Sequence, residues 1–391
     1  MEVIRNSQAI PSLFDAVLID EAQDLPREFF QIVYLATHNP KRVIWAYDEL
    51  QNLGSYAMAP PSELFGKDPS TGQAYVQLRN EPDAPHQDIV LPVCYRNTPW
   101  ALTIAHALGF GIYREKGLVQ LFDDLNLWND IGYEAIRGRL AFDHQVALRR
   151  TERSTPSFFA DRLSPDDAFK TVSFGSHPEQ CAWTAEQISN DLMNDELEYD
   201  DVLVIFCDPI SAATRASQLK LELQKKGIAS HTVGVDRLPD EFFLERSIAI
   251  SGIFRAKGNE ASMVYILDSD RCFTGPELIK KRNILFTAIT RSRAWVRMTG
   301  CGPAMRSLVK EVDNVFENKF VLDFKIPSEL ELASLRRIHR DMTEEERRKQ
   351  QKTLKDLKEA LAEIEQGTVN LADLDPQTRQ RLKALLSESG E

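Results

Sequence analysis

The stretch FDAVLIDEAQDLP, residues 14–26, carries an apolar run directly into the acidic side chains of Asp20, Glu21 and Asp24. Ligands of open parallel sheets bind at the carboxyl ends of the strands. An apolar strand that ends in Asp-Glu can therefore place one carboxylate on Mg²⁺ and a second beside an attacking water. Adjacent acidic residues also occur where a helix begins, so this stretch alone leaves both an ATPase site and a purely structural strand end open.

Short apolar runs alternate with helical patterns through most of the chain. Such alternation predicts an α/β fold in which parallel strands are joined by crossover helices. The predicted strands are residues 16–20, 42–47, 88–93, 169–174, 201–206, 229–233, 247–253, 263–268 and 294–300. The predicted helices are residues 26–37, 98–108, 178–193, 212–226 and 281–290. Residues 57–87 are rich in Pro, Gly and Asp, which predicts a long loop.

The composition is that of a globular protein of 391 residues, long enough for two or three domains. Its net charge of −12 argues against a protein that coats nucleic acid non-specifically. Residues 271–310 depart from this acidic average, because they contain nine basic residues and only one acidic residue, Glu277. No apolar run is long enough for a membrane span, and the five cysteines are scattered without CxxC spacing. Reduced thiols in the cytoplasm are therefore expected.

Four further stretches accompany DEAQD, residues 20–24. They are RVIWAYDELQNL (42–53), CYRNT (94–98), FRAKGNEAS (254–262) and LFTAITRSR (285–293). Taken singly, an arginine or a glycine in such a stretch is more often a structural residue. Taken together and in this order, the five stretches resemble motifs of the UvrD/Rep/PcrA-like superfamily 1 helicases. The resemblance implies RecA-like parallel-sheet domains, one partial and one complete.

The resemblance assigns the first two motifs to the phosphates of a bound nucleotide, so ATP and Mg²⁺ are the expected cofactors. Asp20 would hold Mg²⁺, and Glu21, which completes the expected metal site, would polarise the attacking water. Asp48 and Gln51 would couple the γ-phosphate to the nucleic-acid site.

The later motifs imply that the second domain supplies positive charge and a nucleoside contact. Arg96 would reach the γ-phosphate, and Arg291 would act as an arginine finger. Gly258 and Glu260 fall in a Lys-Gly-x-Glu motif, whose Glu usually holds the ribose. Because negative charge gathers on the γ-phosphate during transfer, arginines from a second domain stabilise it only when the domains close. Cycles of closure would then move single-stranded nucleic acid, gripped by backbone contacts and base stacking.

Three aromatic residues near the second motif are available for such stacking: Tyr47, Tyr56 and Trp45. Trp45 lies inside a predicted strand, so core packing is its more usual role. Tyr56 is only a weak substitute for the base-stacking Tyr that the family has after the Gln.

The largest departure from the family is that no stretch reads GxxxxGK[ST], the loop that cradles phosphates. The chain is therefore expected to be a fragment, or one half of a split enzyme whose partner polypeptide brings that loop. A decayed ATPase is a third interpretation, although the acidic and arginine residues are all present. The Thr and His that often open the Lys-Gly-x-Glu motif are replaced by Gly252 and Phe254, and the long 2B insertion is absent.

The expected organisation has three parts. Residues 1–87 form the end of a first RecA-like domain, residues 88–327 form the second with an insertion at 110–164, and residues 328–391 form a charged tail. In the tail, TEEE (343–346) has capping-box spacing, and Leu354, Leu357, Leu361 and Ile364 repeat at helical spacing. These features predict a helical hairpin, which either packs on its neighbours or docks a partner.

The function expected from this reasoning is an ATP-dependent helicase or translocase for single-stranded or partly duplex nucleic acid, most readily DNA. The isolated chain is expected to be inactive, because an incomplete phosphate cradle leaves the triphosphate charge uncompensated. The alternative is a non-catalytic nucleic-acid-binding or protein-interaction subunit derived from a helicase.

Overall fold

A computed structural model describes residues 10–54, 59–78, 85–122, 124–155, 158–236, 241–332 and 335. The strands are β1 (Val17–Ile19), β2 (Val43–Trp45), β3 (Tyr133–Gly138), β4 (Gln145–Arg150), β5 (Phe169–Phe174), β6 (Val202–Phe206), β7 (Ser230–Thr232), β8 (Ile248–Gly252), β9 (Ala261–Leu267), β10 (Ser292–Cys301) and β11 (Leu322–Lys325). The predicted helical tail and Tyr56, a weak candidate for base stacking, lie outside the described residues.

The α-helices differ widely in length. They are α1 (Arg27–Ala36), α2 (Pro61–Leu64), α3 (Pro99–Phe110), α4 (Leu127–Asp130), α5 (Phe158–Arg162), α6 (Pro165–Ala168), α7 (His177–Met193), α8 (Ala212–Lys225), α9 (Ile253–Ala256), α10 (Leu278–Ile289) and α11 (Gly302–Glu317). None of the helices in the described residues is both long enough and apolar enough to cross a bilayer. The five cysteines are free thiols.

The first body, called here the small lobe, consists of β1, β2, α1 and α2. Pro26 precedes α1, and the α1 side chains of Phe30 and Val33 point inward at helical spacing. They pack on Ile19 from β1 and on Phe65 after α2, which gives the small lobe a hydrophobic core of its own. β1 and β2 are parallel, with Leu18 opposite Ile44.

One face of the small lobe's sheet is open to solvent. Leu18 is 78% exposed and Ile44 is 64% exposed, although both lie in strands. Parallel sheets are normally covered on both faces, and a sheet of two strands is marginally stable on its own. Among the described strands β2 pairs only with β1, so its other edge is also without a strand partner. The small lobe therefore presents an apolar sheet face and an open edge together.

The second body, called here the large lobe, is built on a parallel sheet with strand order β5-β10-β9-β6-β8-β7. Alternate residues of β6 enter different cores, as the two-residue period of a strand requires. Leu203 and Ile205 pack with α3, α10 and α11, whereas Val204 and Phe206 pack with α7 and α8. A separate antiparallel sheet of order β11-β4-β3 adjoins the first of these cores.

The α/β prediction is confirmed, and eight of the nine predicted strands match β1, β2 and β5 to β10. The strand predicted at residues 88–93 is wrong: no strand forms there, and Ile89 is 68% exposed and Leu91 83% exposed. Apolar character favours a strand, but a strand forms only where a neighbouring backbone can pair with it. The predicted insertion at 110–164 contains β3 and β4, which were not predicted, and α11 was also missed.

A buried histidine in α3 makes the stability of the large lobe dependent on pH. His106 Nδ1 lies 3.0 Å from the hydroxyl oxygen of Tyr133. Burial, with a smaller contribution from Arg150, lowers the pKa of His106 from 6.5 to about 3. Below pH ~6.5 the imidazole of His106 is protonated in the unfolded chain but stays neutral in the folded protein. The free energy of unfolding is therefore highest above pH ~6.5 and decreases as the pH falls.

Between pH ~6.5 and the pKa of His106 in the folded protein, we expect the free energy of unfolding to fall by about 1.4 kcal/mol for each unit by which the pH is lowered. Urea unfolding at pH 7 and pH 5 would measure this loss. The control compares His106→Asn with His38→Asn, because His38 is exposed. The His106 variant should show the weaker pH dependence of the two. Equal pH dependence in both variants would contradict the assignment.

Candidate functional site

The acidic stretch forms a sharp turn at the carboxyl end of β1. Glu21 adopts a left-handed backbone conformation with φ 50°, and residues Ala22–Asp24 form one turn of 3₁₀-helix. The backbone N–H of Glu21 donates to Asp20 Oδ1 at 2.9 Å. A non-glycine residue in this conformation costs on the order of 1–3 kcal/mol, and such residues cluster at functional sites. The turn leaves Asp20 exposed and Glu21 partly exposed.

Gln23 connects this turn to the second motif, a role that the sequence reasoning missed. Its side chain is buried, and its Nε2 donates to Glu21 Oε2 at 2.6 Å. Its Oε1 accepts from the backbone N–H of Asp48 at 3.2 Å. The only signal in the sequence was its position inside DEAQD.

Asp48, Gln51 and Arg291 form a continuous chain of hydrogen bonds. Gln51 Nε2 donates to Asp48 Oδ2 at 2.8 Å, and Arg291 Nη2 donates to Gln51 Oε1 at 2.6 Å. Arg291 Nε also donates to the Thr287 carbonyl at 3.1 Å, which fixes the guanidinium at the end of α10. Burial raises the pKa of Asp48, while its hydrogen bonds from Gln51 and Leu50 act in the opposite direction.

Arg291 is the most buried charge of the site. Burial lowers its pKa from 12.5 to about 10, and the positive charge of Arg96 adds to the shift. The negative charges of Glu21, Asp48 and Glu260 oppose it. Arg291 therefore stays protonated at neutral pH. The charged groups that affect its pKa are far apart in sequence, from Glu21 to Glu260.

Arg96 and Glu260 form an ion pair through Arg96 Nε and Glu260 Oε2, and both side chains are partly exposed. The next residue, Asn97, is buried, and its Nδ2 donates to the Ser292 carbonyl at 2.6 Å. This bond anchors the CYRNT segment beside the start of β10, and the sequence reasoning did not single it out. Gly258 has φ +84°, a turn conformation that glycine adopts without strain.

Lys257 is a further residue whose role the sequence reasoning missed. Its Nζ lies 2.6 Å from Asp24 Oδ2 and 3.1 Å from Glu21 Oε2. Its side chain is only 9% exposed. This ammonium group therefore joins the large lobe to the acidic turn of the small lobe.

The structure thus gathers most of the predicted site residues in one region where the small and large lobes meet, called here the cleft. Glu21, Asp48, Gln51, Arg96, Arg291 and Glu260 are linked by the contacts and charges described above, and Asp20 and Gly258 are their chain neighbours. Their roles in binding and catalysis remain predictions.

The donor types in the cleft fit the cofactors that the resemblance implies. Mg²⁺ is usually held by one or two carboxylates together with water and phosphate oxygens, and the exposed carboxylate of Asp20 suits that arrangement. Glu21 Oε2 is already engaged by Gln23 and Lys257. No cluster of three or more metal-binding side chains occurs in the part of the chain that the structure describes.

The aromatic residues near the second motif have different environments. Trp45 packs on Phe65 with ring centroids 5.0 Å apart, in agreement with its interpretation as a core residue. Tyr47 is half exposed and remains the candidate for contacting a base. Phe254, which replaces the family's His, is also half exposed.

Comparison with known proteins gives a family-level result for one segment. Residues 247–299 match the sequence profile of the UvrD-like helicase C-terminal domain. The match includes the 254–262 and 285–293 motifs, and so Lys257, Glu260 and Arg291. No curated protein matches the chain significantly.

Among solved structures, the chain is similar to the C-terminal domain of a possible DNA helicase from Lactobacillus plantarum WCFS1. The two are 16% identical, and the aligned region covers 38% of this chain and 83% of that chain, with a TM-score of 0.27. A likeness at this score adds no argument about function.

Proposed function

We propose that this chain forms part of an ATP-driven helicase or translocase that acts on nucleic acid, most readily DNA. The observation that carries the proposal is the position of Arg291. Its guanidinium donates a hydrogen bond to Gln51. It also lies close enough to Glu21 and Arg96 for their charges to shift the pKa of Arg291. Carboxylates from the small lobe and guanidinium groups from the large lobe thus converge on one cleft.

The proposed roles follow from the charge that develops during phosphoryl transfer. Mg²⁺, held in part by Asp20, would neutralise charge on the phosphate oxygens. Glu21 would orient the attacking water and accept its proton. Arg96 and Arg291 would stabilise negative charge as it shifts, and Gln51 would report the state of the γ-phosphate to Arg291. Glu260 would exchange its contact with Arg96 for the ribose.

We further propose that a segment carrying the GxxxxGK[ST] loop completes the site, either as part of a longer form of this chain or on a second polypeptide. The sequence itself contains no such loop. The open face at Leu18 and Ile44 and the open edge of β2 provide the apolar surface and the backbone groups that an added strand and helix require. Location in the cytoplasm remains a prediction.

The test is nucleic-acid-stimulated ATP hydrolysis by the full chain, alone and mixed with the polypeptide encoded immediately upstream. We expect no appreciable turnover by the chain alone, because the triphosphate charge is not compensated there. Adding the polypeptide that carries the loop should restore turnover. Strong turnover by the isolated chain would overturn the need for a partner, and nucleic-acid binding without turnover in the mixture would favour the non-catalytic alternative.

The docking face has its own variant. Leu18→Glu with Ile44→Glu places two charges on the open sheet face and should abolish restoration of turnover by the added polypeptide. The matched control is Leu221→Glu, since Leu221 is also an exposed apolar residue but lies on α8 of the large lobe. Equal turnover in the two variants would exclude this face as the docking surface.

A further inference from the structure

The segment after β2 is mechanically part of the large lobe, although it follows the small lobe in sequence. Leu50 and Leu53 are buried in the large lobe's core. Asn283 on α10 donates through Nδ2 to the carbonyls of Glu49 at 3.3 Å and Asn52 at 3.0 Å. Apolar burial and backbone hydrogen bonds thus fix this segment against α10.

The acidic turn is held against the large lobe in a different way. Its buried neighbours, Ile19 and Ala22, belong to the separate core of the small lobe. Its described side-chain contacts with the opposite wall of the cleft are polar: Lys257 with Asp24 and Glu21, and Gln23 with the backbone of Asp48. Polar contacts at the rim of a cleft can break and reform without disrupting either core.

Lys257 is suited to such a contact by its surroundings. The preceding residue, Ala256, is buried in the large lobe's core, which fixes the start of the side chain. The side chain is almost completely covered, so water screens its charge less than it screens an exposed pair. An ammonium group has three donors and can serve two carboxylates at once.

Two hydrogen-bond donors hold the carboxylate of Glu21 in one orientation. Gln23 Nε2 and Lys257 Nζ both approach the same oxygen, Oε2, at 2.6 Å and 3.1 Å. Two donors on one oxygen fix the plane of the carboxylate and leave Oε1 as the oxygen that can address a water molecule. One of these donors comes from the small lobe and the other from the large lobe.

From this geometry we infer that Lys257 is a positioning residue: it latches the acidic turn to the large lobe and orients Glu21, with Asp24 as its second anchor. Glu21 then has its working orientation only when the cleft is closed on Lys257. The catalytic meaning of this latch rests on the proposed function, whereas the latch itself does not.

Hydrogen exchange of the full chain, without nucleotide, tests the latch directly. The amide of Ala22 is bonded to the Ala46 carbonyl at 2.9 Å, and the amide of Asp24 to the Glu21 carbonyl at 3.0 Å. We expect Lys257→Met and Asp24→Asn to speed exchange in the peptide covering residues 20–25 several-fold. Exchange in β6 should not change, which would show that the fold is intact.

The control is Lys281→Met, because Lys281 Nζ bonds the Thr274 carbonyl and lies in the large lobe. This variant should exchange like the wild type over residues 20–25. The conservative variant Lys257→Arg keeps a positive charge facing both carboxylates and should retain most of the protection, whereas Lys257→Met keeps much of the packing and should lose it. Wild-type exchange in Lys257→Met, or exchange in Lys257→Arg as fast as in Lys257→Met, would overturn the latch.

Turnover by the completed enzyme tests the positioning of Glu21 separately. We expect Lys257→Met to lower kcat on the order of 10²-fold with little change in KM for ATP, because misplacement of a catalytic group affects the chemical step. Unchanged kcat together with faster exchange would leave a latch that does not position Glu21 and would overturn the positioning claim. Failure of the proposed function itself is detected by Arg291, not by Lys257.

Discussion

Arg291→Ala is expected to lower ATP turnover by the completed enzyme on the order of 10³-fold or more, the typical cost of removing an arginine finger. Arg291 is buried, protonated and held by Gln51 and the Thr287 carbonyl, so its charge is already in place when the γ-phosphate develops negative charge. A preorganised charge of this kind acts mainly on the transition state. The loss should therefore appear in kcat far more than in KM for ATP.

The control for this variant lies two residues further along the chain. Arg293 is exposed near the start of β10, and Arg293→Ala removes the same charge without altering the cleft. Steady-state hydrolysis of ATP in the presence of saturating single-stranded DNA would compare the two variants. Similar turnover by Arg291→Ala and Arg293→Ala would refute the arginine-finger role.

The parts of this protein that could be predicted from sequence are those set by local pattern. β6 and β9 are apolar at nearly every position because both faces of the sheet are covered, and such runs are recognisable without knowing their neighbours. The motif residues Glu21, Gln51 and Arg291 could likewise be found, because each lies in a short stretch that resembles a known family.

The parts that could not be predicted depend on partners distant in sequence. The Lys257 contact with Asp24 joins residues 233 positions apart, and neither residue type signals such a contact by itself. β11 pairs with β4, although more than half of the large lobe's sequence separates them. In β3 only Tyr133 is buried, so this strand lacks the apolar alternation that identifies a half-buried strand. Conversely, residues 88–93 have a strand-like pattern, but no strand is formed by them.

Glu311→Ala is expected to destabilise the large lobe by about 3–5 kcal/mol, the usual cost of leaving a buried charge unpaired. Arg282 on α10 is 0% exposed, and its Nη1 and Nη2 donate to the two carboxylate oxygens of Glu311 at 2.7 Å and 2.9 Å. Urea unfolding followed by circular dichroism would measure the loss. The control is Glu317→Ala, an exposed position on the same helix, which should change stability by less than about 0.5 kcal/mol.

The double variant Arg282→Met with Glu311→Leu separates the value of the ion pair from the cost of breaking it. Replacing both partners with apolar residues removes both desolvation penalties, so its stability should lie close to that of the wild type. α10 also carries Asn283 and leads into Arg291, so Glu311→Ala should weaken the site as well as the fold. If Glu311→Ala lowers the free energy of unfolding by less than about 1 kcal/mol, Arg282 must find another partner. An unpaired buried guanidinium would destabilise the protein by more than that.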